Sequence, residues 1–305
     1  MESIATFPRF TTITRSNVSL IKSATSMLQD HSDFNHLSLV SYNYHGENKM
    51  SMLNENIVIK FIDYVDKTPF LSLVGTNKIE ETLATLFNYS EMNGGIAIKL
   101  LPAEVKSILG ENENYVFTED EDNFDYVLSV DNILELKGKD HKNKARAISK
   151  FRQLYPNAIF NLSIDINETL TKNIKDTLDK WVELNKEKTS LFEIEINALL
   201  NFLTQHHTFN NILITTCYIE ETMVGFSISE IIEKKYAMNH FMKTDISFSG
   251  SFDALDWYTA KKLKETGVEK INIQQDLGLP GLRYKKKKSM PIKMFKKYQV
   301  SPKKK

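Results

Sequence analysis

The sequence predicts an α/β (α+β) protein built as two halves, each a sheet flanked by helices. Three observations carry that expectation. The chain has 305 residues, beyond the size at which a single hydrophobic core stops growing, so two cores are expected. Apolar runs of strand length alternate with segments whose apolar residues recur at helical spacing, the pattern of helices interleaved with a sheet. The two halves present similar successions of these segments, although no internal sequence repeat is visible.

Taken in order, residues 16–30 read as a helix, with Val18, Ile21, Ala24, Thr25 and Leu28 on one face. Strands are expected at 37–44, 57–64 and 70–74, a helix at 79–89, and a strand at 96–100 after the Gly94-Gly95 turn. Pro102 opens a short helix to Leu109, and strands at 115–118 and 126–130 close a first unit, residues 1–135. The second unit, 136–300, begins with a helix at 140–155 stopped by Pro156. A strand at 158–164 follows, then a helix capped by Asn167 and running to Lys186, and another helix at 193–206. Strands at 212–219, 223–231 and 236–242, a helix at 252–265, and strands at 268–273 and 291–300 complete it. Residues 301–305 read as a loose basic terminus.

Composition excludes several classes. The single cysteine, Cys217, cannot form an internal disulfide or a multi-cysteine zinc site, and it sits in an apolar strand where an inert thiol is expected. No apolar run approaches the roughly 20 residues needed to cross a bilayer, and the N-terminus lacks the apolar core of a signal peptide. A cytoplasmic location is expected. The formal net charge of zero hides a division: from Arg283 onward there are 11 basic residues and no acid, so the body carries the balancing negative charge. Such an end either docks on the acidic body or binds an anionic partner such as RNA or lipid headgroups.

The most informative segment is Asn272-Ile-Gln-Gln-Asp-Leu-Gly-Leu-Pro-Gly-Leu-Arg-Tyr-Lys. An apolar strand enters a turn punctuated by Gly278, Pro280 and Gly281, where backbone can approach a ligand or take positive φ. Asn272, Gln274, Asp276 and Arg283 surround that turn with amide, carboxylate and guanidinium groups. The residues fit either a well-capped turn at a sheet rim or a ligand-facing loop. In the helix at 140–155, Lys139, Lys142, Arg146 and Lys150 share a face, opposite an apolar stripe of Ala147, Ile148, Phe151 and Leu154. Lys144 falls beside Ile148 and Phe151, so its ammonium either snorkels outward or serves an anion. On the strand at 236–242, alternation places Tyr236, Met238, His240 and Met242 on one face and Ala237, Asn239, Phe241 and Lys243 on the other. His240 is then either a satisfied core histidine or a site residue.

Together with Asp122-Asn-Phe-Asp-Tyr-Val-Leu-Ser-Val-Asp-Asn-Ile-Leu-Glu-Leu-Lys-Gly-Lys, and with Lys144, Ile148, Lys150, Phe151, Tyr155 and Pro156, the Asn272 segment resembles the phosphatidylglycerol lysyltransferase C-terminal-domain family. The resemblance runs from about Asn43 to Val300. It implies two tandem GNAT-like halves, each a mixed, mainly antiparallel sheet flanked by helices, with a ligand cleft in the second. It further implies acyl transfer, with aminoacyl-tRNA or acyl-CoA as donor, no metal, and an anionic lipid headgroup among the partners. The expected cleft is lined by His240, Lys243, Asn272, Gln274, Asp276, Arg283 and Lys286, with Lys144 nearby; Asp276 or His240 would relay the acceptor's proton, and the others would bind substrate. Gly250 and Ser251 stand where GNAT enzymes cradle a donor pyrophosphate, but Asp253 and Asp256 in the following turns oppose a diphosphate. The sequence departs from the family pattern at Ala145, Arg146 and Ala147, at Gln274 in place of a carboxylate, and at Lys288-Ser289-Met290. Each departure removes a hydrogen-bonding or proton-transfer group. The expected function is an acyltransferase, most specifically of an aminoacyl group onto an amine or hydroxyl; the alternative is a decayed relative that binds RNA or anionic lipid through its basic end.

Overall fold

The computed structural model describes residues 3–136, 141–186, 189–233 and 235–303, with backbone only at 189–191. In chain order the elements of the first part are β1 (Thr11–Thr12), α1 (Val18–Ala24), α2 (His36–Ser41), β2 (Lys49–Leu53), β3 (Asn56–Ile62) and β4 (Pro69–Val74). They continue with α3 (Ile79–Met92), β5 (Ala97–Pro102), α4 (Ala103–Leu109), β6 (Tyr115–Glu119), β7 (Asp125–Ser129) and α5 (Val130–Glu135). Next come α6 (Lys142–Leu154), β8 (Ile159–Ser163), α7 (Glu168–Leu184), α8 (Thr189–Gln205), β9 (Ile212–Ile219), β10 (Thr222–Glu233) and β11 (Tyr236–Thr244). The chain ends with α9 (Ser251–Glu265), β12 (Lys270–Asn272), α10 (Pro280–Lys288), β13 (Lys293–Phe295) and β14 (Lys297–Pro302). Lys139 and Asp140, read above as part of the α6 segment, lie outside the described residues.

Contacts divide the chain into two compact units, neither continuous in sequence: Met1–Tyr126 with Gln275–Lys285 and Met294–Lys305, and Val127–Gln274 with Lys286–Lys293. Two seven-stranded mixed sheets are formed, ordered β1-β2-β3-β4-β5-β14-β6 and β13-β7-β12-β11-β10-β9-β8. Most pairings are antiparallel; β4–β5 and β11–β12 are parallel. In the first unit α3 buries Leu83 and Leu86 against Val58, Leu71 and Leu73. In the second, α9 buries Ala260 and Leu263 with Ala237 and Ile271. The α/β expectation of two helix-flanked sheets is what the chain forms.

Three expectations are corrected, at 37–44, 291–300 and 126–130, and the lysine block, given no element above, proves to be a helix. Residues 37–44 form no strand: α2 occupies His36–Ser41, with all six residues buried, so apolar alternation there carried no information about faces. Asn35 decides the matter, its side chain accepting from the backbone N–H groups of Leu37 (2.8 Å) and Ser38 (3.2 Å). The lysine block after the glycine-rich turn is helical, with Pro280 at the first helical position, where its missing N–H costs nothing, and lysines at the end that a helix dipole favours. The strand expected at 291–300 breaks at Lys296, and its second part, β14, inserts between β5 and β6 in the first sheet. Conversely β7, expected to close the first unit, pairs with β12 in the second sheet. Both strands read as apolar runs, and sequence alone does not specify which edge such a run joins.

Candidate functional site

In the first unit the glycine-rich turn is organised by one carboxylate. Asp276 is fully buried and accepts from Arg283 Nε (2.9 Å) and Nη2 (2.8 Å), from the Tyr126 hydroxyl (2.5 Å) and from the Gly278 N–H (2.9 Å). Arg283 Nη2 also donates to Asp122 Oδ1 at 2.5 Å. Gly278 has φ +72°, and a Cβ there would lie 2.8 Å from an Asp122 oxygen, so both the turn and that carboxylate demand glycine. Burial alone would raise the Asp276 pKa; the hydrogen bonds from Arg283, Tyr126 and Gly278 outweigh it and hold the carboxyl below its ordinary range. Burial, then the bond to Asp276, pushes Tyr126 up to about 12. Asp276 is therefore an anion with its acceptor sites filled. It fixes the turn and is poorly suited to relay a proton.

A second buried network in the same unit was missed by sequence reasoning. Lys297 and Asp125 are wholly buried and 2.8 Å apart, and Lys297 also pairs with Asp33. Ser32 donates to Asp125 through its N–H (2.7 Å) and hydroxyl (2.6 Å), and the Gln275 amide donates to Asp33. Burial opposes the charge on Lys297, but Asp125 and Asp33 more than compensate and its pKa is raised. Asp125 and Lys297 are each the first residue of a strand, β7 and β14, a position that gives no sign of burial in the sequence. With Arg283 paired to Asp276 and Asp122, Lys297 buried, and Lys296 2.6 Å from Glu119, these charges of the basic end are neutralised on the body.

In the second unit the strand β11 is irregular at His240. The ladder pairs Ile228 with Phe241 and Ser229 with Asn239, so His240 is the extra residue of a β-bulge and simple alternation fails there. His240 is buried, its Nε2 3.1 Å from Glu230 Oε2 and its Nδ1 3.5 Å from the Gln274 amide nitrogen. With Nε2–H donating to the carboxylate, Nδ1 is the acceptor turned toward Gln274. Gln274 itself has φ +62°, a strained left-handed conformation held by its N–H donating to Asn272 Oδ1 at 2.6 Å. Lys286 Nζ donates to the Ile273 carbonyl at 2.6 Å.

Further along β11, Lys243 is 7% exposed, 2.6 Å from Glu195 on α8. Its ammonium lies 4.5 Å from the Trp181 ring centroid and 5.7 Å from that of Phe192. Lys144 on α6 pairs with Asp256 on α9, so its charge is spent between two helices. Gly250 has φ +85°, and a Cβ there would stand 2.5 Å from the Ala147 carbonyl oxygen; the Ser251 hydroxyl donates to the Asp245 carbonyl at 3.1 Å. Packing against α6 and a helix-start bond thus account for both residues without a donor pyrophosphate, and Asp253 occupies the first turn of α9. Burial pushes Cys217 up to about 12, as befits an inert thiol. Among the described residues no helix is long and apolar enough to cross a membrane.

The architecture is two helix-flanked mixed sheets, the second with a bulge at His240 on β11. A family profile described as phosphatidylglycerol lysyltransferase, C-terminal, matches residues 27–301, and the chain belongs to that family. A conserved protein of unknown function from Bacteroides thetaiotaomicron VPI-5482 superposes with TM-score 0.82 at 21% identity, covering 96% of this chain and 99% of that one. The C-terminal domain of a putative lysylphosphatidylglycerol synthetase from Agrobacterium fabrum gives TM-score 0.60 at 14% identity, over 94% of this chain and 91% of that one. FemX gives 0.53 at 9% identity, over 92% and 95%. These likenesses, with the family, carry the fold of two helix-flanked mixed sheets. Comparison with the curated proteins found no match.

Proposed function

We propose that the chain is an acyltransferase that moves an aminoacyl group from an activated ester, such as aminoacyl-tRNA, to an amine or hydroxyl acceptor. The single observation that supports this reading is the His240–Glu230 pair, set at a β-bulge beside the strained Gln274 turn. An imidazole oriented by a buried carboxylate can take a proton on its far nitrogen, because the resulting cation is stabilised by that carboxylate. In the reaction the acceptor heteroatom bonds to the ester carbonyl carbon and the ester C–O bond breaks. The proton lost by the acceptor passes through His240 Nδ1 to the departing hydroxyl. An acceptor that displaces the Gln274 amide meets that nitrogen. Asn272 and Lys286 shape the turn around Gln274, and Asp276 with Arg283 fixes the turn that follows it in the chain. An aminoacyl-tRNA donor carries a cytoplasmic location with it.

The test is transfer of a labelled aminoacyl group from a mixed aminoacyl-tRNA pool, with acyl-CoA thioesters as a second donor set, to amine- and hydroxyl-bearing acceptors. Wild-type protein should transfer, and His240→Gln should lower the rate about 10²–10⁴-fold, the usual worth of acid–base catalysis. An equal rate in H240Q, or no acyl loss from any donor, would sink the reading.

A further inference from the structure

The second unit contains a cavity of about 290 Å³ where α6, the start of β8 and α9 meet, and the transfer chemistry does not use it. Its wall is aromatic: Phe151, Tyr155, Phe160, Trp257 and Tyr258 all line it. The rings form a continuous array. Phe160 stacks on Tyr258 with centroids 4.9 Å apart, and Phe151 lies 6.1 Å from Phe160 and 5.1 Å from Tyr155. Two rings are anchored through their polar ends: Trp257 Nε1 donates to the Leu134 carbonyl and the Tyr258 hydroxyl to the Phe160 carbonyl, each at 3.2 Å. Those bonds hold the wall in place before a ligand arrives, which lowers the ordering cost of stacking another ring there.

The charge at the rim has one sign. The lining contains no acid and a single base, Arg152, whose guanidinium lies 4.8 Å from the Trp257 ring centroid. A second cation, Lys261, reaches the same indole, 5.9 Å from its centroid. Its neighbours on α9 are paired, Lys262 with Glu265 and Lys264 with Asp131, both at 2.8 Å. Among the described residues neither Arg152 nor Lys261 has an acidic partner. Each cation gains from the π face, but the two like charges repel one another. An anion bound beside them offsets that repulsion. Arg152 also retains its N–H donors, in the planar fork that matches a carboxylate.

We propose that this cavity binds a small aromatic carboxylate, its ring among Phe151, Phe160, Trp257 and Tyr258 and its carboxylate on Arg152, with Lys261 adding positive charge. The volume lies at the lower limit of ligand pockets, which restricts the ligand to a single ring with a short acidic arm. The site stands independently of the transfer reaction, and its test measures binding alone.

The full chain is titrated by calorimetry and by ligand-observed NMR with phenylacetate, against phenethyl alcohol and phenethylammonium as neutral and cationic matches and inorganic phosphate as an anion without a ring. Saturable binding of phenylacetate, weakened about tenfold or more in Arg152→Gln, is the expected result, on the scale of a lost charge-assisted hydrogen bond. Lys261→Gln should weaken it by a smaller factor. Ala158→Leu, which fills the cavity and leaves both cations in place, should abolish it. A thermal melt confirms that each variant is folded, and the exposed position of Arg152 keeps the outcome decisive if A158L is not. Equal binding of phenethyl alcohol or of phosphate, tighter binding of phenethylammonium, unchanged affinity in folded R152Q or A158L, or no saturation at tens of millimolar would each overturn the assignment.

Discussion

The Asp276 turn and the His240 bulge both bury an acid beside a nitrogen base, yet they hold their protons on different terms. At Asp276 four donor contacts converge on one carboxylate, from Arg283, Tyr126 and Gly278, and the result is a fixed anion. At His240 the two ring nitrogens face unlike partners, a carboxylate at 3.1 Å and an amide at 3.5 Å. The first arrangement has nothing to gain from a proton; the second has a carboxylate ready to stabilise one. The difference teaches that a perturbed, conspicuous acid in a glycine-rich turn can be an architectural group, while the quieter histidine of β11 is the one proposed to carry the chemistry.

Four experiments break or sharpen that contrast. Lys297→Met should have the largest effect, destabilising by about 3–5 kcal/mol in denaturant unfolding, because it leaves Asp33 and Asp125 buried without their cation. Asp276→Asn should cost about 2 kcal/mol, the scale of a lost charged hydrogen bond, and should depend on pH. The folded-state pKa of Asp276 is depressed, so its contribution is present above the ordinary aspartate value of 3.8 and fades as pH falls through the lower folded value. The stability gap between wild type and D276N should therefore close on acidification below that value; a gap that widens would mean the carboxyl is not held ionised. Glu230→Gln should lower transfer while leaving the melting temperature far less changed than D276N does, since a neutral amide still accepts from Nε2–H but no longer stabilises the imidazolium. Lys296→Ala, breaking an exposed pair with Glu119, should change nothing measurable in the melt.

Legibility followed the reach of the interactions. Local signals were sufficient for the Asn167-capped helix, where the side chain accepts from the Leu170 N–H, and for the strands of both sheets whose alternation or apolar length is unambiguous. They failed at His36–Ser41 because burial on every side erases periodicity. The strand partners of β7 and β14 were not legible, since each pairs with residues far away in sequence. At the site, His240 and Gln274 were identifiable as residues, but the bulge that re-aims His240 depends on Ile228 and Ser229 across the ladder. Alternation cannot foresee an extra residue. Arg283 and Asp276 were correctly placed in one turn, seven residues apart, yet their mutual neutralisation needed Tyr126 and Asp122 from a distant segment. The helix α10 was readable in hindsight from Pro280 at its start and the lysines at its end.

The most direct test of the central claim is single-turnover transfer from aminoacyl-tRNA compared in wild type, His240→Gln and Asp276→Asn, each at a temperature where it is folded. Loss of the chemical step in H240Q, with the rate in folded D276N retained to within about tenfold, is the predicted result. The reverse order, with D276N inactive and H240Q unimpaired, would contradict the account.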